Sequence, residues 1–102
     1  MQALRLVERR QTHVVVLDMA DVPAIDATGQ VALSGLVADL NGSGIKVVLA
    51  GLGRHSLRTL VRAGWRNRKG AVRMFRSFER GVAVARATAA RRAEAPGAGA
   101  AR

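Results

Sequence analysis

Short apolar runs alternate along this chain with stretches that repeat at helical spacing. His13-Val14-Val15-Val16-Leu17-Asp18-Met19 is β-branched and continuously apolar at its centre, which predicts a strand covered on both faces. Pro23 cannot donate to a ladder, so Asp21 to Asp26 reads as the connection that follows. From Thr28 to Leu40 the residues Leu33, Leu36, Val37 and Leu40 recur at i, i+3, i+4 and i+7. They predict a helix with one inward face, and Asp26 stands just ahead of it as an N-cap. Asn41-Gly42-Ser43-Gly44 then supplies a helix end and a turn.

Ile45 to Ala50 predicts a second buried strand ending at Gly51. A helix separates it from the first, so the two are expected to be parallel in a right-handed βαβ unit. A shorter helix over about Ser56 to Ala63 would turn Leu57, Leu60 and Val61 inward, with Arg54, Arg58 and Arg62 along a solvated face. Ala71 to Phe75 predicts a third short strand. Ser77 would then cap a last helix to about Arg92, with Phe78, Val82, Ala85 and Ala89 inside. Residues 93–102, rich in Ala, Gly and Pro, have nothing to bury and read as a disordered tail. Residues 1–12 read as a residual helix or linker, which leaves 13–92 as the domain.

Composition adds limits. In 102 residues there is room for one domain, and with 3% aromatic residues its core must be built from Val, Leu, Ile and Ala. No stretch approaches the ~20 apolar residues of a membrane-spanning helix. The absence of cysteine removes disulfides and thiolate metal sites and fits a cytoplasmic setting. The net charge of +10 is unevenly placed. Up to Gly53, Arg5, Arg9, Arg10 and Lys46 face five acidic residues, whereas from Arg54 onward thirteen basic residues face only Glu79 and Glu94. An anionic partner is therefore expected to meet the C-terminal half.

The strand, the following Val22-Pro23-Ala24-Ile25-Asp26-Ala27-Thr28-Gly29, the amphipathic helix, the Gly-rich turn, the second strand and the helix ending Arg62-Ala63-Gly64-Trp65 together resemble the STAS domain. That family is shared by bacterial anti-sigma-factor antagonists and by the C-terminal cytoplasmic domains of SulP anion transporters. The resemblance covers roughly His13 to Ala89, and Pro23-Ala24-Ile25 with Gly64-Trp65 favours the transporter branch. It implies an α/β, STAS-like mixed sheet with helices packed on it. The strand or strands that usually open the fold are missing from this reading, because Met1 to Gln11 resembles a helix tail. It also implies a non-catalytic regulatory module of a sulfate or related anion transporter, at the inner face of the membrane and separated from its membrane part, with a free-standing anti-sigma-factor antagonist as the alternative. In the antagonist branch the first hydroxyl after the loop aspartate is phosphorylated by a partner kinase. Here that position is Ala27, while Thr28 keeps a hydroxyl one place later.

Asp26, Ala27, Thr28 and Gly29 are thus the candidate interaction loop, although an aspartate in this place also serves simply as a cap. Arg58, Arg62, Trp65, Arg66, Arg68 and Lys69 are candidate contacts to an anionic surface, for which membrane lipid is the expected partner over nucleic acid. A protein partner or the transporter's membrane domain is expected at the loop. An exposed sheet edge, left by the missing strands, would offer a route to a homodimer. Gly51-Leu52-Gly53 lacks the third glycine of a dinucleotide loop, since Ser56 stands there. His13 and His55 lack a second ligand at metal spacing, and no nucleophile stands beside a base. No cofactor, metal or catalytic residue is expected.

Overall fold

The computed structural model describes residues 4–6 and 13–94. Four strands form one sheet in the order β1 (Leu4–Leu6), β2 (Val14–Asp18), β3 (Lys46–Ala50), β4 (Val72–Phe75). The strands β2, β3 and β4 run parallel, and β1 adds to β2 antiparallel, Leu4 opposite Leu17. Helices α1 (Ala27–Gly42), α2 (Arg54–Arg62) and α3 (Phe78–Glu94) make the crossovers and the final element. This is the expected α/β architecture, a mixed sheet with helices packed on it.

Alternation along the strands sorts the core into two layers. Val15, Leu17, Val47, Leu49 and Val72 face α1 and α2, where Leu33, Val37 and Leu60 meet them. Val14, Val16, Val48 and Ala50 face α3, which presents Ala85 and, around it, Phe78, Val82 and Ala89 as its periodicity predicts. Each fully buried Val or Leu contributes roughly 1.5–3 kcal/mol, so β2 and β3, apolar on both faces, carry much of the stability.

Several expectations are corrected. Leu4–Leu6 is a strand, where a residual helix or linker was expected, and it pairs with the side of β2 that was to be left open by a missing strand. Residues 1–3 and 7–12 lie outside the described residues, as do 95–102; α3 itself runs to Glu94, two residues past the expected end. Val61 is 51% exposed rather than inward, and its place on the inner side of α2 is taken by Ser56, fully buried with its hydroxyl 3.4 Å from the Val22 carbonyl.

The β4 edge is closed by the chain itself. Val72 N–H donates to the Arg68 carbonyl at 3.1 Å, the Val72 carbonyl accepts from Arg68 N–H at 2.8 Å, and Met74 N–H donates to Asn67 Oδ1 at 2.7 Å. Backbone groups that would otherwise template another strand are already partnered.

Candidate functional site

The β2–α1 corner is built from its backbone outward. Beyond β2, Met19 is buried and its N–H donates to the Ala50 carbonyl at 2.8 Å, and Ile25 is buried as the anchor of the loop. Asp26 then adopts extended backbone angles (φ −88°, ψ 179°), and its Oδ1 accepts from Gly29 N–H at 2.7 Å. The carbonyl of Asp26 accepts the first helical bond, from Gln30 N–H at 2.9 Å. Asp26 is therefore the N-cap of α1, satisfying a donor that the first helical turn leaves without a partner.

What the corner presents to solvent follows from that geometry. Ala27 and Thr28 occupy the first two positions of α1 and are exposed, as are Val31, Ala32 and Gly35 further along the same outward side. Val31 is 72% exposed, and a Cβ placed on Gly35 would meet nothing within 4 Å. Asp39 is the one charged residue in α1. The start of this surface helix is thus small, apolar and uncharged on the side where charged residues are usual.

The loops after β3 and β4 open at the same end of the sheet. Leu52 is buried and its N–H donates to the Phe75 carbonyl at 3.0 Å, so the Gly51–Gly53 segment is tied into the fold. Ser77 caps α3 by accepting from Arg80 N–H at 3.1 Å.

The basic residues are not one cluster. Arg58 is exposed midway along α2 and Arg62 lies in its last turn. Gly64, at φ 97°, then ends the helix, and Trp65 N–H returns to the Leu60 carbonyl at 2.9 Å, a helix-closing arrangement that lays the indole half-buried against the core. Trp65, Arg66 and Arg68 line a groove of about 340 Å³ between the second half of α1 and the segment joining α2 to β4. Lys69 instead borders a cavity of about 50 Å³ beside α3, with Lys46, Arg73 and Arg91. Ala71 and Val72, at the start of β4, line both the groove and the cavity, so both sit at the end of the sheet opposite the Asp26–Gly29 corner. Along α1 the groove's lining begins at Ser34, about 7.5 Å of helix axis beyond Gly29, and continues to Asn41.

Asn41 has a role that no local pattern signals. Its Nδ2 donates to the Ile45 carbonyl at 2.9 Å and to the Ala71 carbonyl at 3.0 Å, tying the end of α1 to the approaches of β3 and β4 and forming one wall of the groove. Among the described residues no group of His, Asp and Glu is arranged to hold a metal, and no helix is long and apolar enough to cross a membrane.

A family model described as STAS domain matches residues 1–80, a span that takes in β1 and ends in the first turn of α3. Neither a curated protein nor a solved structure matches the chain.

Proposed function

Because the chain belongs to the STAS domain family, we propose that it is a non-catalytic regulatory module which binds a protein partner through the β2–α1 corner and the outward side of the first turns of α1. The observation that carries this reading is the exposed surface of Ala27, Thr28, Val31, Ala32 and Gly35, uncharged and not covered by any described residue, beside a corner closed by the Asp26 cap. An exposed apolar residue on a fixed helix turn loses little side-chain freedom on docking, which favours association.

The finer reading is the cytoplasmic regulatory domain of a SulP-type anion transporter, at the inner face of the membrane. Ala27 supports it by standing where the antagonist branch carries its phosphorylated hydroxyl, as does the basic C-terminal half, suited to a site near anionic lipid. An anti-sigma-factor antagonist-like role is the second reading, favoured by the exposed Thr28 hydroxyl at the start of α1.

Co-purification of the full chain from cells of its source, compared with Val31→Glu, tests the proposal. The unsubstituted chain should retain a partner that the variant loses, while both unfold at the same temperature, since an exposed substitution alters stability by about 0.5 kcal/mol or less. An integral membrane transporter as that partner selects the first reading, and a kinase-type anti-sigma factor selects the second. A partner held equally by Val31→Glu would contradict the contact face.

A further inference from the structure

We propose that the groove at the far end of the sheet binds a phosphoryl group carried on an apolar body. The inference does not depend on the proposed protein-contact face, which is centred on the first turns of α1, whereas the groove is lined by α1 from Ser34 onward.

The groove has two chemically distinct parts. Val37 and Val72, each 7% exposed, line its apolar part together with the half-buried ring of Trp65. Arg66 and Arg68 stand at its rim, both exposed, and no carboxylate is among the lining residues. Neither guanidinium is in ion-pair contact with a described residue. Two like charges held two residues apart without a counter-ion repel each other, and an anion between them would relieve that repulsion.

The donor set points to phosphate. Each guanidinium offers a planar fork that can engage two oxygens, and phosphate has enough acceptor oxygens to meet more than one fork at once. The Trp65 indole N–H and the Ser34 hydroxyl add further donors along the lining. Asn41 is not free to add to them, because its amide hydrogens are spent on the Ile45 and Ala71 carbonyls; it holds the wall in place.

Size and polarity argue for more than a bare ion. At about 340 Å³ the groove falls at the low end of the ~300–1,000 Å³ range of small-molecule sites. An inorganic phosphate would leave the open part of the half-buried Trp65 ring wet, whereas a short hydrocarbon attached to the phosphate would cover it; Val37 and Val72, each 7% exposed, add only narrow margins to that surface. The phosphoryl group can come from a soluble monoester or from a lipid headgroup at a membrane surface.

Trp65 is the sole tryptophan and the chain has no tyrosine, so its emission reports on this groove alone. The full chain is titrated with hexyl phosphate, hexanol and inorganic phosphate, followed by Trp65 emission and independently by calorimetry. Saturable binding of hexyl phosphate, at least tenfold tighter than that of either comparison compound, is expected. The double variant Arg66→Gln/Arg68→Gln should lose tenfold or more in affinity, and Arg54→Gln/Arg58→Gln less than twofold. Vesicles of phosphatidylcholine with and without phosphatidic acid separate the sources. Binding to the acidic vesicles that hexyl phosphate displaces assigns the headgroup, and binding of hexyl phosphate without vesicle binding assigns a soluble ester. The proposal is overturned by absence of saturable binding in both readouts, by equal losses in the two double variants, or by vesicle binding that hexyl phosphate does not displace.

Discussion

Gly81 of α3 lies so close to Ala50 of β3 that a Cβ built on the glycine would stand 2.6 Å from the alanine Cβ and 3.3 Å from its Cα. The helix can settle onto the Val48–Ala50 face of the sheet because neither residue carries more than a methyl group. Helix propensity alone would favour Gly81→Ala by about 0.8–1.0 kcal/mol, but the contact requires backbone to move, and overpacking of this kind costs about 1–3 kcal/mol. Gly81→Ala is therefore expected to lower the denaturation midpoint. Adding Ala50→Gly removes the 2.6 Å overlap and should recover part of the loss, a coupling that a double-mutant cycle measures directly.

Asp26 is expected to act on stability through its cap. Asp26→Ala removes the acceptor of the Gly29 N–H and should cost about 0.5–2 kcal/mol, where about 1 kcal/mol corresponds to roughly 4–8 °C in a domain of 60–100 residues. Asp26→Asn keeps an acceptor oxygen in place and should melt close to the unsubstituted protein. Thermal unfolding followed by circular dichroism checks both; an unchanged midpoint for Asp26→Ala would remove the cap from the account.

At the other end of α1, Asn41 serves two carbonyls that belong to different strand approaches. Asn41→Ala removes one donor from each; the Ala71 carbonyl keeps Val47 N–H at 2.8 Å, so the loss falls mainly on the Ile45 carbonyl and should cost about 1 kcal/mol. Asn41→Asp should be worse, because it replaces the donor with a carboxylate oxygen facing the same carbonyls. Urea midpoints rank the three proteins, and an Asp variant as stable as the Ala variant would contradict the donor role.

The elements that were legible in the sequence are those whose signal is local. The β-branched runs of β2 and β3, the inward stripe of α3, and the caps Asp26 and Ser77 each follow from residues within a few positions of one another. Three-residue β1 is too short for any periodicity to show, and its pairing with β2 is a tertiary fact. Val61 points outward because a nine-residue helix admits two neighbouring inward faces, and the one that packs runs through Ser56 and Leu60. Asn41 stands at the end of a helix and Asn67 in a loop, places where asparagine is ordinary, and only the fold reveals that they partner the backbone of Ala71 and Met74. The basic residues read as one stretch in the chain; the change of direction at Gly64 and the sheet between α1 and α3 put Arg66 and Arg68 at one cavity and Lys69 and Arg73 at another, while Arg58 and Arg62 lie on α2 and line neither.

The central claim, that the start of α1 is the surface on which a partner docks, is tested most directly by photo-crosslinking in cells. A photoreactive residue is placed in turn at Thr28, Val31 and Gly35 of α1, and at Ala83 and Arg86, which are exposed on α3. A common adduct is predicted from the three α1 positions and none from the two α3 positions; adducts from α3 alone, or equally from both helices, would contradict it.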